Sequence, residues 1–255
     1  MTTLTLGARL RAGKSLLCLS FPRPMLSLST AIWGGGFRRI RWAVNQKLTV
    51  FYGSEEEFPG GSVAEYLRLS LIEAGCRPEE SAALLTSAKM EWHRVIRKSR
   101  GPLMVDVVAT AGVEQTAARA GDPPLYEERD HHFYPAGTIN LMILVNGALP
   151  EGIMARALIT ITEGKTAALQ DLGIASVYTG RPATGSATDG ITLVTDPEGA
   201  PYTDAGTFSV LGFLLASAAY DAVRSCLVDF DRPWNRFESL TTPEAADISF
   251  HNRKK

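Results

Sequence analysis

An α+β sandwich is the fold class this sequence predicts: a single domain in which a mixed, largely antiparallel sheet packs against long helices. Three observations predict it. The chain has 255 residues with 45% apolar content, enough to close one sizeable core. Several strand-like runs follow one another too closely for crossovers to fit between them, and the helical patterns come as isolated long pieces. A doubly wound parallel sheet is the second choice.

The elements follow in order. Around "FPRP", the runs "SLLCLS" and "MLSLST" read as two short strands joined by a proline turn. "AIWGGGF" next requires a sharp bend or a close approach of backbone, and "RIRWAVNQKLTVFY" alternates as a strand does. "GSVAEYLRLSLIEAG" places Val63, Leu67, Leu71 and Ile72 on one helical face, with Ser62 as N-cap and Gly75 as the stop. "SAALLTSAKMEWHRVIR" is ambiguous by periodicity, whereas "PLMVDVVATAG" and "TINLMILVNG" are buried strands. Residues 119–136 have no periodicity and read as a long loop. Pro150 opens a helix that Gly173 ends, "IASVYTG" and "GITLVTD" read as short strands, and Asp204 is the expected cap of a last helix reaching about residue 229. The domain is expected to span 15–235, with 1–14 and 240–255 as flexible termini.

Lys plus Arg (26) and Asp plus Glu (27) nearly cancel, so no global field exists to hold nucleic acid or an anionic membrane. The apolar block at 208–220 falls short of the ~20 residues that span a bilayer and reads as a buried helix. Arg9, Arg11 and Lys14 ahead of "LLCLSF" imitate a secretion signal, but that apolar stretch is short and runs into "PRP". Cys18, Cys76 and Cys226 are odd in number and far apart, which suggests neither a zinc spacing nor a disulfide framework. A reducing cytoplasm is the expected compartment.

Standard signatures fail letter by letter. "GARLRAGKS" has five residues between its glycines where a phosphate loop needs four, and "GRPATGSA" has the spacing without the lysine. GxSxG, GxGxxG and HExxH are absent. His131 and His132 are adjacent, so on an extended chain they point apart and do not share a metal; His93 reads as a half-buried side chain. No metal site is expected.

Three small polar clusters remain. "GTIN" carries a glycine, a hydroxyl and Asn140 into a strand, which is also how an ordinary strand starts. In "TEGKT", Thr162, Lys165 and Thr166 share a helix face; Gly164 costs about 1 kcal/mol of helix stability, understandable if another backbone or a ligand presses there, and an exposed face with an incidental glycine is the alternative. The third is "YTGRPATGSATDG" at 178–190, where Gly180, Gly185 and Gly190 allow tight geometry. Thr184, Ser186 and Thr188 alternate there, with Asp189 following. A plain turn explains the glycines and the aspartate but not the row of hydroxyls.

Taken jointly, "LSTAIWGGG", "TAGV", "GTINLMILVN", "TEGKTAALQDLGI", "ATGSATDGITLV" and "YTDAGTFSVLG" resemble the adenosylcobinamide amidohydrolase family of corrinoid salvage, over about residues 24–228. Family members usually read "TEAKT" and "TGTGTD", where this chain has Gly164, Ser186 and Ala187. The resemblance implies hydrolysis of the secondary amide joining the aminopropanol arm to a propionyl side chain of adenosylcobinamide, giving aminopropanol and adenosylcobyric acid, the latter for cobalamin synthesis. The cobalt corrinoid is then substrate, and no cofactor is expected. A corrinoid-binding protein without turnover, and an amidase or acyltransferase on another small molecule, are the alternatives.

Amide cleavage needs a nucleophile, which without a metal motif is a side-chain hydroxyl or a positioned water, together with oxyanion donors and an acid for the leaving amine. The chemistry assigns attack to Ser186 or Thr184, orientation or base work to Asp189, and proton handling to Lys165 with Glu163 nearby. Lys165 would take up a proton near neutrality if buried among apolar groups. The glycine-rich loop is the candidate oxyanion cradle. Trp33, Gly35, Asn140, Thr162, Thr166, Gly185 and Thr188 are the candidate substrate contacts, with the loop at 122–135 as a further wall.

Overall fold

The computed structural model describes residues 3–113, 116–124, 138–186 and 188–228. Ten strands are described: β1 (Arg9–Ala12), β2 (Leu16–Ser29), β3 (Gly36–Lys47), β4 (Ser81–Thr86), β5 (Arg94–Arg100), β6 (Leu103–Gly112), β7 (Ala117–Ala118), β8 (Thr138–Ala148), β9 (Gly185–Ser186) and β10 (Gly190–Pro201). Three α-helices accompany them, α1 (Val63–Glu73), α2 (Glu151–Asp171) and α3 (Val210–Val228). The main sheet runs β4-β3-β2-β10-β8-β6-β5, with β1 added beside β2. Only the β3/β4 and β8/β10 pairs in it are parallel. This is the mixed, largely antiparallel α+β sandwich that the sequence predicts, built as a single domain.

The sheet folds over on itself. Leu85 of β4 accepts a hydrogen bond from Asn140 of β8 at 2.9 Å, although three strands separate them in the sheet order. One core, with Leu17, Leu19, Ile40 and Leu84 facing Met142, Leu144 and Val194, therefore lies between two arms of the same sheet. On the outer face of the β2–β4 arm, Leu67 and Leu71 of α1 pack against Cys18 and Val44. On the outer face of the other arm, Ile139, Leu141, Ile143 and Val145 meet α2 and α3. Strict alternation along β8 supplies both of its interfaces.

Local signals account for many element ends. The Ser62 hydroxyl accepts from the Glu65 amide to open α1, and Gly75 takes φ +73° just after it. Pro150 precedes α2 and Gly173 follows it at φ +66°. Gly164 lies where α2 crosses α3: a Cβ there would stand 2.4 Å from the Ala216 carbonyl oxygen. The pressing group is therefore another backbone.

Four expectations change. The "FPRP" turn is instead a register shift between Ser20 and Met25 within the single strand β2, which leaves both prolines outside the paired ladder. "IASVYTG" forms no strand; only an isolated bridge joins Ala175 to Pro182. The cap of α3 is Ser209, whose hydroxyl accepts from the Gly212 amide, while Asp204 accepts from Gly206 in the preceding turn. The stretch 1–14 belongs to the fold from Thr3 onward, because Leu4 and Ala8 are buried and the Thr5 amide donates to Asp106 at 2.6 Å. Residues 240–255 lie outside the described residues. At 19 residues α3 is long and apolar enough to cross a membrane, yet it lies on β5 and β6, and Asp221 pairs with Lys98.

Candidate active site

The parallel pair β8/β10 is connected through α2, and the loop from α2 into β10 holds the polar residues singled out in the sequence. The start of β9 is fixed from two sides. The Thr184 amide donates to Ala118 and the Ala120 amide to the Thr184 hydroxyl at 2.8 Å, tying the loop to β7. From α2, Lys165 Nζ and the Thr166 hydroxyl each donate to the Thr184 carbonyl at 3.0 Å.

Asp189 is the hub. Its Oδ1 accepts the Ser186 hydroxyl at 2.5 Å, the Ser186 amide at 3.1 Å and the Ile139 amide at 3.1 Å. Its Oδ2 accepts Lys165 Nζ in an ion pair whose side chains are only 7% and 16% exposed. Lys165 is thus buried, but opposite a carboxylate and a carbonyl rather than among apolar groups alone. Gly185 passes between the two charges: a Cβ there would lie 2.3 Å from Asp189 Oδ2 and 2.6 Å from Lys165 Nζ. The Thr188 hydroxyl lies 3.1 Å from that of Thr138 at the start of β8.

The other predicted contacts are placed as follows. Asn140 is buried, with Nδ2 donating to Asn45 Oδ1 at 2.8 Å and to Leu85, and its Oδ1 lies against Gly190. The Thr30–Gly35 bend adjoins the start of β10 through the Thr30 hydroxyl, which accepts the Ile191 amide at 3.0 Å. There Trp33 is half-buried, its indole donating to Pro78 at 2.9 Å, and Gly35 leaves no room for a side chain beside the Ala31 carbonyl. Thr162 and Glu163 are exposed and do not join the cluster; the Thr162 hydroxyl bonds back to Leu158 within its own helix. Within the proposed cradle, the amides of Gly180, Ala183, Thr184 and Ser186 are already bonded inside the protein.

His131, His132 and most of the 122–135 wall lie outside the described residues. His93 is half-buried with Nδ1 2.9 Å from the Met90 carbonyl, and burial pushes its pKa down. Sequence reasoning missed the Ile139 amide and the pairing of Asn45 Nδ2 with Thr110 at 2.9 Å. Polar side chains interrupting the apolar stripes of β3 and β6 were the signal for the second. It also missed Asp122, which accepts the Ser176 and Thr179 hydroxyls at 2.6 and 2.8 Å and so shapes the first half of the loop.

The sequence is 32% identical over 203 residues to the adenosylcobinamide amidohydrolase of Halobacterium salinarum, covering 78% of this chain and 79% of that one. It is 31% identical over 211 residues to a Methanocaldococcus jannaschii protein named only as uncharacterized, covering 77% and 80%. Among solved structures, the PH0078 protein from Pyrococcus horikoshii aligns over 88% of this chain and 79% of that one, at 12% identity and a TM-score of 0.44. The family described as adenosylcobinamide amidohydrolase matches residues 1–232, and to that family this chain belongs.

Proposed function

We propose that this chain hydrolyses the secondary amide linking the aminopropanol arm to a propionyl side chain of adenosylcobinamide, or of a related corrinoid. The products are aminopropanol and adenosylcobyric acid, the latter for cobalamin salvage. The observation that carries the chemistry is the arrangement on Asp189, where one carboxylate oxygen holds the Ser186 hydroxyl and the other the Lys165 ammonium.

Ser186 Oγ attacks the carboxamide carbon while its proton passes to Asp189 Oδ1. Negative charge develops on the carbonyl oxygen and needs N–H donors; the Thr188 amide, directed at Ser186 Oγ from 3.4 Å, is the candidate. The C–N bond then breaks, and the amine leaves with the proton held by Asp189. Water, giving a proton to the same carboxylate, attacks the resulting ester; Ser186 recovers its hydrogen and the acid departs. Lys165 touches the carboxylate throughout, fixing its orientation and balancing its charge. Thr184 is a poorer nucleophile, because its hydroxyl is held by the Ala120 amide at 2.8 Å and, among the described residues, faces no carboxylate to take its proton as Asp189 faces that of Ser186. The bend carrying Trp33 and Gly35 offers an aromatic edge for the broad, apolar corrin ring.

Mass spectrometry after incubation with adenosylcobinamide tests the reading. Release of aminopropanol with adenosylcobyric acid is expected. A corrinoid absorbance change on binding without any product would indicate a binding protein, and no corrinoid binding at all an amidase for another small molecule.

A further inference from the structure

Two cysteines that the proposed chemistry does not use meet beneath α1. Cys18 lies on β2 and faces the helix, and Cys76 follows the helix end, where its amide donates to Leu71 at 2.8 Å and that of Gly75 to Ile72 at 2.9 Å. That paired cap fixes the position of Cys76. Their sulfurs stand 3.7 Å apart, both side chains buried, 58 residues apart in sequence. A disulfide needs about 2.05 Å, so the two sulfurs need close less than the width of one atom, within reach of side-chain rotation. Cys226 is remote from them on α3, its thiol directed at the Ala109 carbonyl.

We propose that Cys18 and Cys76 are a redox modification site, convertible between two thiols and an intramolecular disulfide by hydrogen peroxide. The inference stands independently of the corrinoid reading. The two sulfurs are not equivalent. Cys18 is held below the ordinary cysteine value, chiefly by its hydrogen bond with Cys76 and further by the Arg11 charge, while that same bond and burial push Cys76 up. Arg11 of the neighbouring strand stands in register with Cys18, and we take Cys18 as the attacking sulfur and Cys76 as the resolving one.

Cys18 Sγ attacks one peroxide oxygen, the O–O bond breaks, and the departing hydroxide takes up the thiol proton as water, leaving a sulfenic acid. Cys76 Sγ then attacks Cys18 Sγ, the S–O bond breaks, and the hydroxyl leaves with the Cys76 proton as a second water. Two thiols and one peroxide thus become one disulfide and two waters. Beside the pair lies β1, a mostly exposed strand of 4 residues whose Arg11 pairs in register with Cys18 and reaches the Ala74 carbonyl at 2.6 Å. The crosslink would fasten the end of α1 to β2, next to the segment whose Pro78 carbonyl holds the Trp33 indole.

The test exposes the full chain to hydrogen peroxide, alkylates remaining thiols in denaturant, and maps peptides by mass. A Cys18–Cys76 linked peptide lighter by two hydrogens is expected, reversed by dithiothreitol, with Cys226 still taking the label and a higher urea midpoint in the oxidised form. In Cys76→Ser, dimedone should trap a sulfenic acid at Cys18; in Cys18→Ser, Cys76 should remain alkylatable. Full labelling of both cysteines in the peroxide-treated wild type, or a crosslink to Cys226 instead, overturns the proposal whether or not the variants fold.

Discussion

The Ser186 hydroxyl donates to Oδ1 of Asp189 across 2.5 Å, from three positions earlier in the same loop. Removing that hydroxyl with Ser186→Ala should lower kcat/KM toward adenosylcobinamide by on the order of 10³-fold or more while leaving the fold intact. Ser186→Thr, which restores the residue usual in the family, should keep most of the turnover. Steady-state rates of the two variants, with circular dichroism as the folding control, check both outcomes.

Lys165→Met leaves the Asp189 carboxylate buried without its cation, a loss of about 3–5 kcal/mol for a broken buried pair. Adding Asp189→Asn to it should recover part of that stability, though no activity. Urea unfolding of the two single variants and the double variant measures the coupling.

Gly185→Ala inserts a methyl group between Lys165 Nζ and Asp189 Oδ2, both already within 2.6 Å of its position. Spreading the two side chains displaces the carboxylate from Ser186 without emptying the core. The expected result is a fall in kcat of about 10²-fold, the scale of a small misplacement in a reacting geometry, with little change in the melting temperature.

At the helix crossing, Gly164→Ala should destabilise. The alanine gains about 1 kcal/mol of helix propensity, but its Cβ would lie 2.4 Å from the Ala216 carbonyl oxygen and 2.9 Å from the Ala216 Cα. Moving α2 off α3 costs about 1–3 kcal/mol, so the net change should be a loss of about 1 kcal/mol, read from thermal unfolding.

Asp122 lies below its ordinary carboxyl value of 3.8, first through the Ser176 hydroxyl, then through the Arg119 amide, the Thr179 hydroxyl and the Arg181 charge. A depressed folded-state value means that the order it gives the 176–181 loop is present above the ordinary value and lost as pH falls through the lowered one. Amide exchange at Tyr178 and Thr179, corrected for intrinsic rates, should show protection collapsing in that acid window. Asp122→Asn should remove the pH dependence and leave the loop less protected throughout.

Much of this was legible in the sequence wherever the deciding forces are local. Ser62, Gly75, Pro150 and Gly173 mark helix ends by their own backbone preferences, and β8 declares itself by its apolar run. Lys165, Ser186 and Asp189 could be singled out because a loop that only turns does not need that row of polar groups. Distant partners decide the rest. The 174–180 segment has strand-like residues, but Asp122, 54 positions from Ser176, bends it through the serine and threonine hydroxyls. The prolines of β2 look like a strand break because the register shift that accommodates them exists only when β3 lies alongside. Thr162 shares a helical face with Lys165 by spacing, yet it sits one turn away from the loop and is left in solvent.

The ion pair that organises the reacting groups closes only 24 positions of chain, between α2 and the start of β10. Linking such near neighbours restricts an unfolded chain somewhat less than linking remote ones, because the entropic cost grows with the logarithm of the span. The chemistry is therefore wired within one β8–α2–β10 segment, whereas Asn140 beneath it reaches back 95 positions to Asn45. In refolding, the local charge contact can assemble before the two arms of the sheet meet, and the polar floor under it is set only on final closure.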